Sequence, residues 1–231
     1  MDERDGAAPP RPGEQLLELV AVMARLRQEC PWDARQTHQT LAPHLLEESY
    51  EALEALEGGD PEALREELGD VLLQVVFHAE VASERADGTG YTIDDVAEQI
   101  AAKLVRRHPH VFGDVSVSGA DEVKQNWDAI KAAEREAKSG GPGSVLDGVP
   151  FGQPALALAD QLQRRAERGG APAALADLDA TGDGRPSPVG AELFALVARA
   201  RAAGLDPELE LRAAARAYRD RVLAWEAARR G

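Results

Sequence analysis

Glu47-Glu48-Ser49-Tyr50-Glu51 and Glu67-Leu68-Gly69-Asp70, on either side of Gly58-Gly59-Asp60-Pro61, decide how this chain of 231 residues is read. Glycine and proline interrupt two runs of helical periodicity, so the stretch predicts two antiparallel helices joined by a tight turn. Counted from Gly59, Glu51 and Glu67 each lie eight residues away, and Glu48 and Asp70 each lie eleven. At a rise of about 1.5 Å per residue, the two pairs come level at roughly 12 and 16 Å from the turn. Within each helix the acids sit at i and i+3, on one side. Carboxylates packed this closely repel one another unless a cation holds them. Oxygen donors with no Cys or His among them suit a hard ion, Mg2+ or Mn2+, rather than zinc. The competing reading is a solvated acidic face. Symmetry about the turn favours the metal, as does Gly69 inside a helix, where it costs about 1 kcal/mol relative to Ala.

The flanks supply the apolar faces. The first arm is expected from about Leu41 or Pro43 to Glu57, with Leu46, Tyr50, Leu53 and Leu56 on a buried stripe. Asp60 is a plausible N-cap for the second arm, with Pro61 at its first position. Leu64, Leu68, Val71, Leu72, Val75 and Val76 then recur at helical spacing. On a helical wheel the acids flank these stripes. The wheel leaves open whether the acidic flanks meet within one hairpin or through a neighbouring helix.

Composition agrees with an all-α protein: 44% of residues are hydrophobic but only 4% aromatic, and Ala and Leu dominate. A net charge of −15 argues against nucleic acid or an anionic membrane as the main partner. The single cysteine, Cys30, excludes an intrachain disulfide framework and fits a reducing cytoplasm. No apolar run approaches the roughly 18 residues of a membrane span, and the N-terminus has no signal-like apolar core. The expectation is a soluble, cytoplasmic protein.

Residues 1–13 read as a disordered tail, and 14–138 as the module that carries the chemistry. A first helix runs from Glu14 to about Gln28 and is broken at Cys30-Pro31-Trp32-Asp33. Thr92 and Asp95 resemble a capping box for a helix of about 15 residues. That helix ends in Lys103-Leu104-Val105-Arg106-Arg107-His108-Pro109-His110, the densest basic patch of an acidic chain. Lys103, Arg106 and Arg107 suit a phosphate clamp; the competing reading is a set of cations at a helix C-terminus. His108 and His110 read as structural. From Asp121 to about Lys138, Trp127 is either core or a stacking surface for a base, with Lys124, Lys131 and Arg135 interleaved.

Residues 139–150, opening Ser139-Gly140-Gly141-Pro142-Gly143-Ser144, read as a linker to a second module at 151–231. That module contains a faded internal repeat. Gly190 to Val197 aligns with Gly69 to Val76, and Ala214 to Arg219 with Ala101 to Arg106. Pro188 stands at the position of Glu67 and Ala191 at that of Asp70, so this copy lacks the acids and reads as a degenerate helical module retained for packing.

Cys30-Pro31-Trp32-Asp33, Glu47-Glu48-x-x-Glu51, Glu67-Leu68-Gly69-Asp70, Arg106-Arg107-His108-Pro109-His110-Val111-Phe112 and Val123-x-x-x-Trp127-x-x-Ile130-Lys131 together resemble the MazG family of nucleoside triphosphate pyrophosphohydrolases. The resemblance covers about residues 16–138. It implies an all-α fold of the helical-hairpin, four-helix-bundle type, usually a homodimer. It implies Mg2+-dependent hydrolysis of NTPs and dNTPs to the monophosphate and pyrophosphate. Glu48, Glu51, Glu67 and Asp70 are implied as metal ligands with Glu47 beside them, and nucleotide contacts are implied from Lys103 to Arg107 and from Trp127. Glu47, Glu48 and Glu51 are then the candidate catalytic residues, and Lys131 joins the substrate-binding set. The alternatives are a pyrophosphatase narrowed to a pyrimidine dNTP such as dUTP or dCTP, and a non-catalytic helical regulator that binds nucleotide. A di-iron bundle expects Glu-x-x-His pairs, whereas here the partners are Glu51 and Asp70.

Overall fold

A computed structural model describes residues 11, 13–139, 143–178 and 186–230, and every regular element among them is helical. The predicted tail lies outside the described residues apart from Arg11 and Gly13, as do residues 140–142 of the predicted linker. Residues 179–185, ahead of the repeat, lie outside them too.

The chain divides into two compact units, Met1–Ser118 and Gly119–Gly231. The sequence reading puts its boundary at 139–150, at the Gly-rich stretch. The helix at Ala120–Ser139 falls in the second unit, where Arg168 Nη1 donates to Asp128 Oδ1 at 2.8 Å. Glycine content reports backbone freedom, and does not say which side a preceding helix packs against.

The first unit comprises α1 (Glu14–Glu29), a 3-10 turn at Asp33–Arg35, α2 (His38–Gly58), α3 (Pro61–Ser83), α4 (Ile93–Arg107) and the short α5 (Pro109–Phe112). α3 is central and packs against α1, α2 and α4. Its start follows from Asp60, whose side chain accepts from the Glu62 amide at 3.0 Å, and from Pro61 at the first position. Gly59 closes α2 in the left-handed region at φ 74°, which glycine adopts without a Cβ clash. α2 begins earlier than the sequence predicts. Thr37 caps it, and Thr40 returns its hydroxyl to the Thr37 amide, so a Thr stands where the usual capping box has Glu or Gln. Pro43 is therefore carried inside the helix rather than opening it.

The core is small: Met23, Leu41, Val76 and Phe77 are buried, with Leu19, Val20, Leu73, Val81 and Ile93 packed against them. The stripe predicted as buried on α2 is a correction. Leu46 and Leu56 are each 59% exposed and Tyr50 is also exposed, while Leu53 is half-buried. On α3, Leu68, Leu72 and Val75 are exposed although Val76 is buried. Periodicity locates an apolar face, but whether that face is covered depends on a partner the wheel does not contain.

A buried cation closes the end of this unit away from the turn. Arg27, 8% exposed, donates from Nε to Glu84 Oε1 at 2.8 Å and from Nη2 to Glu84 Oε2 at 2.6 Å. Its Nη1 reaches the carbonyls of Asp33 and Gln36. One side chain thus ties α1, the Cys30-Pro31-Trp32-Asp33 break and the end of α3. Trp32 meets Phe77 and His44 edge-on, with centroids 6.4 and 6.1 Å apart.

The second unit contains α6 (Ala120–Ser139), α7 (Ala155–Arg168), a 3-10 turn at Ala173–Ala176, α8 (Pro188–Ala202) and α9 (Pro207–Arg230). α8 carries the repeat. Ser187 caps it and Pro188 is its first residue, so the position matching Glu67 lies at a helix start, whereas Glu67 lies in the second turn of α3. A Cβ on Gly169 would meet Val145 Cγ1 at 2.5 Å, so the chain ahead of α7 folds back closely on its end.

The hydrogen bond from Arg27 holds the Glu84 carboxyl below its ordinary value. That contribution is present above about pH 4.5, the unfolded range, and is lost as pH falls through the depressed value. Arg27→Ala is expected to cost about 2–3 kcal/mol near neutral pH, at the low end for a buried cation because Glu84 is half in water. Urea unfolding of both proteins should give that gap at pH 7 and a smaller one at about pH 3.

Candidate metal centre

The hairpin register brings the acids of α2 and α3 together. One carboxylate oxygen from each of Glu48, Glu67 and Asp70 lies within 4.8 Å of the others, and all three residues are half-buried. The electrostatics report the same pairing across the two helices. The Glu48 carboxyl is pushed up by burial first, then by the charges of Asp70 and Glu51, with a hydrogen bond to Glu51 favouring its protonated form. Burial likewise raises Glu67, followed by the charge of Glu51 and then of Asp70. Each acid thus feels most strongly the one opposite it: Glu48 feels Asp70, and Glu67 feels Glu51.

Glu51 is exposed and stands outside the group of three, although its charge reaches both Glu48 and Glu67. Glu47 is exposed and lies 3.8 Å from His44 Nδ1. The residues fit a hard divalent cation. The donors are all oxygen and they converge, and a cation would offset the burial and the neighbouring carboxylate charges that raise Glu48 and Glu67.

Two polar side chains beside the acids escape the sequence reading. Gln74 and His78 follow Asp70 at i+4 and i+8, on the same side of α3. Gln74 is buried and its Oε1 has no hydrogen-bond partner; His78 Nε2 is likewise buried without one. The other ring nitrogen of His78, Nδ1, lies 2.8 Å from His38 Nδ1 on α2, with the rings stacked 5.1 Å apart. Burial, and then His38, hold the His78 pKa below its ordinary value. The four-residue spacing from Asp70 is visible in the sequence, but the matching His38 lies ahead of the predicted start of α2.

The basic patch lies where the sequence puts it. Lys103 and Arg107 are half-buried and Arg106 is exposed; both arginines occupy the last turn of α4, where cations also favour the helix dipole. His108 ends the helix with Nδ1 2.7 Å from the Leu104 carbonyl, a structural role. Trp127 and Lys131 lie on α6, in the second unit. Lys131 Nζ sits 4.5 Å from the Trp127 ring centroid, a cation–π contact one helical turn apart. The side chain of Arg135 lies outside the described residues.

The MazG nucleotide pyrophosphohydrolase domain is matched over residues 36–112, which contain all five acids of the hairpin and the basic patch. A protein of Thermotoga maritima called nucleoside triphosphate pyrophosphohydrolase/pyrophosphatase MazG is 40% identical over 221 residues, covering 88% of this chain and 82% of its own. The nucleoside triphosphate pyrophosphohydrolase of Mycolicibacterium smegmatis is 48% identical over 170 residues, 73% of this chain and 51% of its own. This chain thus spans about half the length of that mycobacterial relative. The crystal structure of a mazG-related protein from Thermotoga maritima overlaps 50% of this chain and 97% of its own, at 26% identity and a TM-score of 0.44. With 40% identity carried across four-fifths of a MazG protein, and the family domain spanning the acidic hairpin, the chain belongs to the MazG family of nucleotide pyrophosphohydrolases.

Proposed function

We propose that this protein is a Mg2+-dependent pyrophosphohydrolase that splits NTPs and dNTPs into the nucleoside monophosphate and pyrophosphate. The observation that carries the reading is the convergence of Glu48, Glu67 and Asp70 inside the segment matched by the family. Relatives named for that activity support it.

Glu48, Glu67 and Asp70, joined by Glu51, would hold the cation, with Mn2+ as a substitute. A cation held there would supply Lewis-acid stabilisation of the phosphate charge and would make water a better nucleophile near neutral pH. Glu47, exposed beside Glu48, is the acid left to accept the water proton as its oxygen attacks the α-phosphorus. The bond from that phosphorus to the bridging oxygen breaks, and pyrophosphate leaves with the electron pair. Lys103, Arg106 and Arg107 offset the charge that develops on the leaving group; Trp127 with Lys131, in the second unit, offers a stacking surface for a base. An acidic protein attracts an anionic substrate poorly by its overall field, so these local charges and the cation must supply the attraction.

A homodimer belongs to the same proposal. Leu68, Leu72 and Val75 of α3 and Leu46, Tyr50 and Leu56 of α2 form exposed apolar faces that a second hairpin would cover. A Cβ on Gly69 would meet nothing within 4 Å, which leaves room for a close approach beside the acids.

Glu51→Gln and Asp70→Asn should each lower hydrolysis by more than about 100-fold while far-UV circular dichroism stays unchanged. Full retention of Mg2+-dependent release of monophosphate and pyrophosphate in either variant would sink the site. Lys103→Ala and Arg106→Ala should raise KM with little change in metal affinity, and an unchanged KM would leave these residues to the helix dipole.

Because Glu48 and Glu67 are raised in the folded state, the metal-free fold binds protons more tightly than the unfolded chain. Its stability should therefore fall as pH rises through the raised values. Mg2+ removes that penalty, so its effect on Tm should be larger at about pH 7.5 than at about pH 5; equal shifts would mean that these carboxylates do not take the ion. Leu72→Asp should turn the dimer into a monomer by sedimentation velocity.

A further inference from the structure

The second unit repeats part of the helix order of the first around an apolar cavity. In order along the chain, α7, a 3-10 turn, α8 and α9 correspond to α1, a 3-10 turn, α3 and α4 of the first unit, and the repeat matches α8 to α3. In the first unit, α2 stands between the turn and α3. Among the described residues no helix stands between the turn at Ala173–Ala176 and α8. A cavity of about 600 Å³ opens in this region, between α7, the turn and α8. Leu146, Leu162, Ala166, Phe194 and Ala198 supply much of its apolar wall. Its volume falls within the range of small-molecule sites, about 300–1,000 Å³.

Two polar groups on the wall narrow the chemistry. Gln163 is 6% exposed; its Nε2 donates to the Phe194 carbonyl at 2.8 Å, and its Oε1 has no hydrogen-bond partner. A buried acceptor without a donor is costly, and a ligand that supplies a donor relieves that cost. Arg201 lies at the wall too, but it already has two carboxylates: Asp160 at 3.1 Å from Nε and Glu167 at 2.6 Å from Nη2. Asp160 also pairs with Arg164 at 3.1 Å, so two arginines face two carboxylates and Arg201 brings the cavity no surplus positive charge with which to hold an anion.

We propose that this cavity in the second unit binds a neutral, mainly apolar small molecule that donates one N–H or O–H to Gln163 Oε1. The site needs neither the metal nor the nucleotide of the first unit, so it stands whether or not the hydrolase reading does.

N-phenyl-1-naphthylamine is a suitable probe, being neutral, apolar, equipped with one N–H and brighter in apolar surroundings. Titrated into the full chain, it should give a saturable rise in fluorescence with one site per chain. Ala198→Phe and Ala166→Phe fill the cavity from opposite helices, and each should weaken binding by about tenfold or more. Circular dichroism checks that they fold, and if one does not, the other decides. The N-methyl derivative lacks the donor and should bind about fivefold more weakly to the unsubstituted chain, with the difference lost in Gln163→Met. The absence of a saturable rise would overturn the proposal. So would affinity unchanged by filling the cavity, since the probe would then sit on exposed apolar faces elsewhere. Equal affinity of the two probes for the unsubstituted chain would remove the role of Gln163.

Discussion

The register of one helical hairpin decides which carboxylates of this protein come together. Gly59 ends α2 in the left-handed region, and Asp60 with Pro61 starts α3 at once, so the two helices run back along each other from a fixed point. A helix advances about 1.5 Å per residue, so one residue more or fewer in the turn would slide the facing acids past one another by a similar distance. Glu48 and Asp70 meet because they are equally far from Gly59. A turn that admits little variation is therefore part of the site, although none of its residues carries a functional group there.

The opposite end of the hairpin is held differently. Arg27 bridges α1 to Glu84 and takes the carbonyls of Asp33 and Gln36, which positions the chain entering α2. Thr37 comes directly after with its reciprocal cap, and His38 then stacks on His78. Both ends of α2 are thus set by specific polar contacts, while its middle presents apolar side chains outward. That division suits a helix whose inner flank collects mutually repelling carboxylates.

The two units differ in what accompanies a shared apolar pattern. α8 retains the apolar pattern of α3 and buries Val197, yet begins at the position of Glu67 and has Ala at that of Asp70. A helix can therefore pack in this style without the acids. What the second unit has in place of a carboxylate cluster is a mostly apolar cavity with one unsatisfied acceptor. Its ion pairs, such as Arg201 with Asp160 and Glu167, are closed among themselves.

Much of this was legible in the sequence, and the reason is locality. Helix starts at Pro61 and Ile93 follow from Asp60 and from Thr92 with Asp95, because caps are made by residues a few positions apart. The levelling of Glu48 with Asp70 and of Glu51 with Glu67 also follows from the sequence, since a tight turn turns counting into distance. Local chemistry misled only where an unusual residue took a familiar role, as Thr40 does in capping α2. Contacts between distant segments had no such signal. Arg27 with Glu84 spans 57 positions and His38 with His78 spans 40, and nothing in either pair's neighbourhood names its partner. The exposure of Leu46, Tyr50 and Leu56 belongs to the same class: periodicity states that a face is apolar, while only the packing of the folded chain decides whether anything covers it.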